Sequence, residues 1–364
     1  MRQWQRIGLV VSLALWSWVA GCKQTPTTEP VAPEPPVTPS TGTPLNWQKP
    51  ANFPDPTYDF ENNPLTKEGV LLGRTLFYDA LLSKDGTISC AFCHSPFTGF
   101  AHTDHPLSHG IRDQPGTRNV PGIQNVAWRN TFFWDGGIID LDLLPIAPIQ
   151  NPVEMDETLP NVLTKVRTSG RYRPLFRAAF GTDSVTSERF LKALSQFMLT
   201  MVSSNSTYDK VVRKEGSAAL SDAAQRGLTL FQQKCASCHK EPFFTDQSFR
   251  NNGLPQLANA KVDDKGRYAI TAQEADRYKF RVPSLRNVEF TPPYMHDGRF
   301  SSLQQVLHHY ATGVQDSPYL DPLLKQNGQV GIPMTVQEQN DIISFLYTLT
   351  DYTFLQNPDL QPLR

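Results

Sequence analysis

Cys90-Ala91-Phe92-Cys93-His94 and Cys235-Ala236-Ser237-Cys238-His239 are two copies of one pattern, and they set the plan of the chain. Cys-x-x-Cys-His is the attachment pattern of c-type haem. Each cysteine thiol adds to one vinyl group, and the adjoining histidine, His94 or His239, becomes the proximal iron ligand. The two-residue gap lets one turn of chain reach both vinyls. Paired cysteines can also hold zinc. That arrangement would need two ligand pairs to converge, and it gives the histidine after each pair no role. Two covalent haems therefore account for four of the five cysteines.

The flanks of the two motifs also match. Gly73-Arg74-Thr75-Leu76-Phe77 precedes the first and Gly227-Leu228-Thr229-Leu230-Phe231 the second. Val120-Pro121 is followed after thirteen residues by Trp134-Asp135-Gly136, and Val282-Pro283 after thirteen by His296-Asp297-Gly298. Self-similarity at matched offsets predicts a duplicated unit, with Trp134 and His296 in equivalent places. Between the motifs, Ser187 to Ser204 places Phe190, Leu191, Leu194, Phe197, Met198, Met201 and Val202 on one helical stripe. Its methionines read as core residues rather than iron ligands. Thr335-x-x-Glu338 is a capping box opening a last helix, and Ser302-x-x-Gln305 opens one carrying His308, His309 and Tyr310. No run of alternating strands appears. The expected fold is mainly α: two cytochrome c-like domains, each with one covalent haem, joined by long loops. Their expected limits are 47–215 and 216–351, with a C-terminal tail at 352–364.

The start of the chain reads as an export leader. Arg2 and Arg6 precede an apolar run from Ile7 to Ala20, too short for a comfortable membrane span. Val19-Ala20-Gly21-Cys22 looks like a lipobox, which makes 1–21 a lipoprotein signal and Cys22 the lipidated residue. An ordinary signal peptide with an incidental cysteine is the alternative. Residues 22–46 are a Pro/Thr-rich tether with little to bury. The expected location is periplasm-facing and lipid-anchored to a bacterial membrane, where c-type haem is attached. A net charge of −1 and the absence of a basic stretch exclude a nucleic-acid partner.

From Asn63 to Thr350 the chain resembles the bacterial di-haem cytochrome c peroxidase family, which includes the MauG-like enzymes. The resemblance rests on Gly73-Arg74-x-Leu76-Phe77-Tyr78-Asp79, both haem motifs and Gly116-Thr117-Arg118-Asn119. It continues through Phe133-Trp134-Asp135-Gly136, Asn151-Pro152-Val153-Glu154-Met155, and Val282-Pro283-Ser284-Leu285-Arg286-Asn287 to His296-Asp297-Gly298. It implies that the His94 haem meets hydrogen peroxide. It makes Glu154 the carboxylate that moves a proton between the peroxide oxygens, and Trp134 the electron bridge between haems. Asn119, through its side-chain oxygen, and the carbonyls of Thr291 and Pro293 match a calcium site. A carboxylate in a haem pocket is expected to be desolvated, with a raised pKa.

Three positions depart or stay open. Fourteen residues after His296, where relatives with a high-potential second haem place methionine, stands Tyr310, as in the MauG-like branch. A phenolate favours oxidised iron, but His308 and His309 compete for the position, and His296 is assigned to bracing the haem. His102, His105 and His109 follow the first motif. Of these, His109 is the candidate distal ligand of the first haem, and a solvated loop histidine is the equal alternative. Leu144 stands where many relatives have glutamine, which predicts altered tuning. The implied activity is reduction of hydrogen peroxide with electrons from a small exported redox protein, entering at the second haem. A MauG-like oxidation of side chains on a protein substrate is the alternative. A tethered electron carrier is the non-enzymatic one.

Overall fold

Each motif sits beside a crossing of two helices, and the two crossings are built alike. In the first half the helix Lys67–Phe77 crosses Ser187–Leu199; in the second, Asp222–Lys234 crosses Val336–Tyr347. The computed structural model in which these lie describes residues 41–257, 262–326 and 328–363. The leader and the lipidation expected at Cys22 fall outside them.

Hydroxyl caps start all four helices: Thr66, Thr186, Ser221 and Thr335 each accept a backbone N–H of the first turn. The glycines of the repeated stretch allow the crossings. A Cβ on Gly73 would stand 1.9 Å from the carbonyl oxygen of Ala193, and one on Gly227 would stand 1.9 Å from that of Asp341. One turn later a phenylalanine fills the side of each crossing. Phe77 meets Phe197 at 5.2 Å and Phe231 meets Phe345 at 5.0 Å. The matched Gly and Phe of the sequence are thus a close-approach device, used twice.

The second repeated stretch is a second device. Asn125 and Asn287 both adopt left-handed backbone, at φ 57° and 59°. The Oδ1 of Asn125 accepts from Ser203 N at 2.9 Å, and that of Asn287 from Asp351 N at 2.8 Å. Each asparagine therefore pins the chain leaving the second helix of its own crossing. Beyond them, Phe132 bridges Ile138 and Tyr294 bridges Phe300, closing loops that place Trp134 and His296 equivalently.

Strand content among the described residues is two short antiparallel pairs, Phe249–Arg250 with Phe280–Arg281 and Lys325–Gln326 with Gln329–Val330. The fold is mainly α with two cytochrome c-like halves, and both halves belong to one compact unit. The Ser187 helix ends at Leu199, capped by Thr200, short of the Ser204 that periodicity suggests. Met198 and Met201 remain in the first core.

Two segments outside the expected haem domains fold onto the first half. Phe354, Leu355 and Leu360 join its core, and Arg74 Nε donates to Gln361 O at 2.6 Å. At the other end, Leu45 N donates to Leu65 O at 2.9 Å, so the last residues of the expected tether are bound. No helix among the described residues is long and apolar enough to cross a membrane.

Candidate functional site

The four motif cysteines are unpaired, and each motif is a single turn in which the histidine N–H closes onto the first cysteine, helical in the first motif and following the end of the Asp222–Lys234 helix in the second. His94 N lies 2.9 Å from Cys90 O, and His239 N lies 3.0 Å from Cys235 O. Both histidines use Nδ1 in the same way. His94 Nδ1 meets Phe100 O at 2.7 Å, and His239 Nδ1 meets Phe244 O at 3.0 Å. The two phenylalanines have left-handed backbones, at φ 59° and 55°, and no exposed surface. Such carbonyls fix the tautomer with hydrogen on Nδ1 and assign Nε2 to a metal. Burial holds His94 neutral, lowering its pKa to about 4, and lowers that of His239.

Cys235, Cys238, His239 and Tyr310 line one cavity of about 560 Å³. That lies within the about 300–1,000 Å³ usual for cofactor pockets. Arg129 and Arg281 border it as well. Among the described residues neither has a carboxylate partner: Arg129 donates to the carbonyls of Gly122 and Gln124, and Arg281 to that of Phe133. Burial, with Arg281 nearby, pushes the Arg129 pKa well down, and burial brings Arg281 to about 10. One buried and one half-buried cation facing a cavity call for an anionic group, and the carboxylates of a haem meet that need. Cavity, thiols, histidine and arginines together fit a covalent haem.

The structure separates the three neighbours that the sequence left in competition. The Ser302-capped helix Leu303–His308 runs into a π-turn at His309–Gly313. His308 is exposed, beside Thr312, while His309 Nε2 meets Asn252 O at 3.0 Å. Tyr310 faces the cavity. Ile332 N donates to Tyr310 O at 2.7 Å, beside Gly331 at φ 90°. Burial pushes the Tyr310 phenol up to about 12, partly opposed by the Asn252 side chain. His296 borders the same cavity with its ring stacked on Phe280 at 3.6 Å.

Trp134 lies at the junction of the halves. It borders this cavity, and its indole Nε1 donates to Asn119 O at 2.8 Å. Asn119, Thr291 and Pro293 also line the cavity, and Asn119 Nδ2 donates to Pro106 O at 3.0 Å. Among the described residues no group of three or more His, Cys, Asp and Glu is placed to hold a metal ion. A cation beside Asn119 would therefore draw on neutral oxygens, which calcium accepts.

Around the first motif, Glu154 is a half-buried acid. Asn151 Nδ2 donates to Glu154 Oε1 at 3.0 Å, and Ile111 N to Glu154 O at 2.8 Å. Gly110 packs so closely that a Cβ there would stand 2.4 Å from Glu154 Cα. Burial raises the Glu154 pKa, and Asn151 offsets part of the shift. Burial, with the Glu154 carboxylate nearby as the smaller cause, raises the Cys93 thiol to about 11.

His109 also sits beside Cys93, whose Sγ lies 3.4 Å from His109 O, but its Nε2 meets Asp113 Oδ1 at 2.7 Å. The rings of His102, His105 and His109 form a stack, with successive centroids 5.6 and 5.1 Å apart. Leu144 packs against the first core. The carbonyls of Phe100 and Phe244 have no signal of their own in the sequence, because one lies six residues after its histidine and the other five. Arg129, Arg281 and Asn252 lie outside any motif.

A duplicated helical fold with two Cys-x-x-Cys-His turns, one beside a half-buried carboxylate, defines a di-haem c-type enzyme. The family model described as di-haem cytochrome c peroxidase matches residues 67–217. The chain is 36% identical over 307 residues to methylamine utilization protein MauG of Methylorubrum extorquens, covering 83% of each chain. It is 37% identical over 238 residues to cytochrome c551 peroxidase of Nitrosomonas europaea, covering 65% of this chain and 70% of that one. A crystal structure of a MauG-like protein associated with microbial copper homeostasis superposes with a TM-score of 0.76 at 31% identity. That match covers 87% of this chain and 99% of the other. The chain belongs to the di-haem cytochrome c peroxidase family, MauG included. It is a peroxidase-type oxidoreductase, and its family implies two haem c groups.

Proposed function

We propose that this enzyme reduces hydrogen peroxide to water with electrons from a small exported redox protein, received at the second haem. The observation that carries the reading is the half-buried Glu154 carboxyl, held by Asn151 beside the first motif with its pKa raised. When bound, the haems supply the redox chemistry of O–O cleavage. Glu154 takes a proton from the near peroxide oxygen and returns it to the departing one. A carboxyl whose pKa lies above the ordinary glutamate range gives up that proton more slowly to bulk water but accepts it more readily from peroxide. Trp134 carries electrons between the halves, and its indole N–H stays tied to Asn119 O. Calcium at Asn119, Thr291 and Pro293 would hold that carbonyl in place. Cys22, carrying lipid, would keep the enzyme on a membrane facing the exported compartment.

Tyr310 favours a second reading. A phenol ligand stabilises oxidised iron, and a second haem so ligated suits withdrawal of electrons from side chains of a partner protein. Similarity to the MauG proteins supports this branch.

The deciding experiment mixes fully oxidised, haem-loaded protein with one equivalent of hydrogen peroxide and no reductant, following the haem absorption over milliseconds. An immediate shift supports Tyr310 ligation and the partner-oxidising branch. A shift only after one electron has been supplied supports a donor-fed peroxidase with His109 closing the first haem at rest. No peroxide consumption in either state, with a cytochrome donor present, overturns both.

A further inference from the structure

Three tyrosines cluster at the surface near the cavity of the second motif, outside every motif of the family resemblance. Arg277 lies over all of them, its guanidinium carbon 4.5 Å from the Tyr268 ring centroid and 5.8 Å from those of Tyr278 and Tyr319. The Tyr278 and Tyr319 rings meet edge to face at 5.6 Å. All three are half-buried, so each presents part of its ring to solvent.

The cluster is wired to the cavity by two short covalent paths. Tyr278 is two residues from Phe280, which lines the cavity and stacks on His296 at 3.6 Å. Tyr319 is two residues from Asp321, which also lines the cavity and pairs with Arg250 at 3.0 Å. Both phenols face carboxylates. Tyr319 donates to Glu274 Oε1, and Tyr278 lies 3.5 Å from Asp263 Oδ2. Arg277 also holds Glu274, donating from Nε at 2.7 Å. With the Tyr319 hydroxyl, it lowers the Glu274 pKa to about 2. Glu274 is therefore an ionised proton acceptor over the whole working range of pH.

We propose that Tyr268, Tyr278 and Tyr319 form an oxidisable relay through which one-electron donors at the surface reach the second haem. The proposal rests on the peroxidase reading above and adds its port of entry. In each step the Tyr319 O–H bond breaks: its proton passes to the Glu274 carboxylate and its electron to the peroxide-oxidised haem pair. The donor then supplies an electron, and Glu274 returns the proton. Two such steps, with two protons, balance the conversion of one hydrogen peroxide to two waters.

Phenylalanine at each position keeps the ring contacts and the cation–π stack but removes the O–H bond, so it separates redox from packing roles. Haem-loaded full-length protein is mixed with peroxide without donor and freeze-quenched for electron paramagnetic resonance, then digested for mass spectrometry. The expected result is a tyrosyl radical and oxidation or dityrosine mapped to these three residues. Both are lost in Y268F/Y278F/Y319F, with ferrocyanide oxidation slowed several-fold and the resting haem spectrum unchanged. Tyr319→Phe alone, and Glu274→Gln, which keeps the ring but removes the proton acceptor, lower the radical yield if the triple variant does not fold. Equal radical yield and equal ferrocyanide rates in wild type and variants overturn the relay while leaving the peroxidase reading intact. A wild-type protein that consumes no peroxide overturns the reading beneath it.

Discussion

The two halves share a scaffold and differ in what they hold. Both have a glycine-enabled helix crossing, an asparagine clamp in left-handed backbone, and a phenylalanine carbonyl on the proximal histidine. At the equivalent loop position one half carries Trp134 and the other His296. One motif lies beside Glu154, with a loop of stacked histidines; the other opens on a cavity faced by Tyr310. Duplication preserved the parts that hold an iron, and the differences fall where peroxide, protons and electrons would be handled.

The comparison breaks hardest at Glu154. Glu154→Gln should slow peroxide turnover by about 10²–10⁴-fold, read by stopped-flow, while both motifs still load haem. The same carboxyl should set the pH profile. If peroxide loses its proton to the ionised form, turnover should rise with pH through a value above the ordinary glutamate pKa. Glutamine should abolish that acid limb. Stability runs the other way. A raised folded-state pKa means that its contribution is complete below the ordinary glutamate range and declines as pH rises through the raised value. Thermal melts of wild type and Glu154→Gln against pH would show the difference.

Tyr310→Met should leave peroxide binding at the first haem intact and raise the potential of the second, measured by spectroelectrochemistry. Unchanged potentials would remove Tyr310 from the ligand set. Gly73→Val and Gly227→Val force a side chain onto a carbonyl and should each cost about 1–3 kcal/mol, read by denaturant unfolding. Equal costs would sharpen the symmetry of the crossings. Thr335→Ala removes one cap and should cost about 1 kcal/mol.

The mainly helical class, the duplication and the two-haem plan were legible because covalent haem demands fixed spacing, and because close crossings demand glycine. The face presented by Tyr310 was not, since a π-turn breaks the 3.6-residue rule that would have ranked it against His308 and His309. The end of the Ser187 helix was also hidden, because Met201 stays buried after the helix has stopped. Arg129 and Arg281 were invisible for another reason. A buried arginine looks like any other until its carbonyl-only partners are seen.

The segment after the last long helix ties the two halves together. Phe354 packs against Phe100 at 5.7 Å, and Phe100 supplies the carbonyl that orients His94. The 352–360 segment therefore backs the proximal wall of the first haem site. A stretch that follows the second motif in sequence thus acts as a latch on the site of the first, so the two haem sites are not independent modules that could be cut apart between the halves.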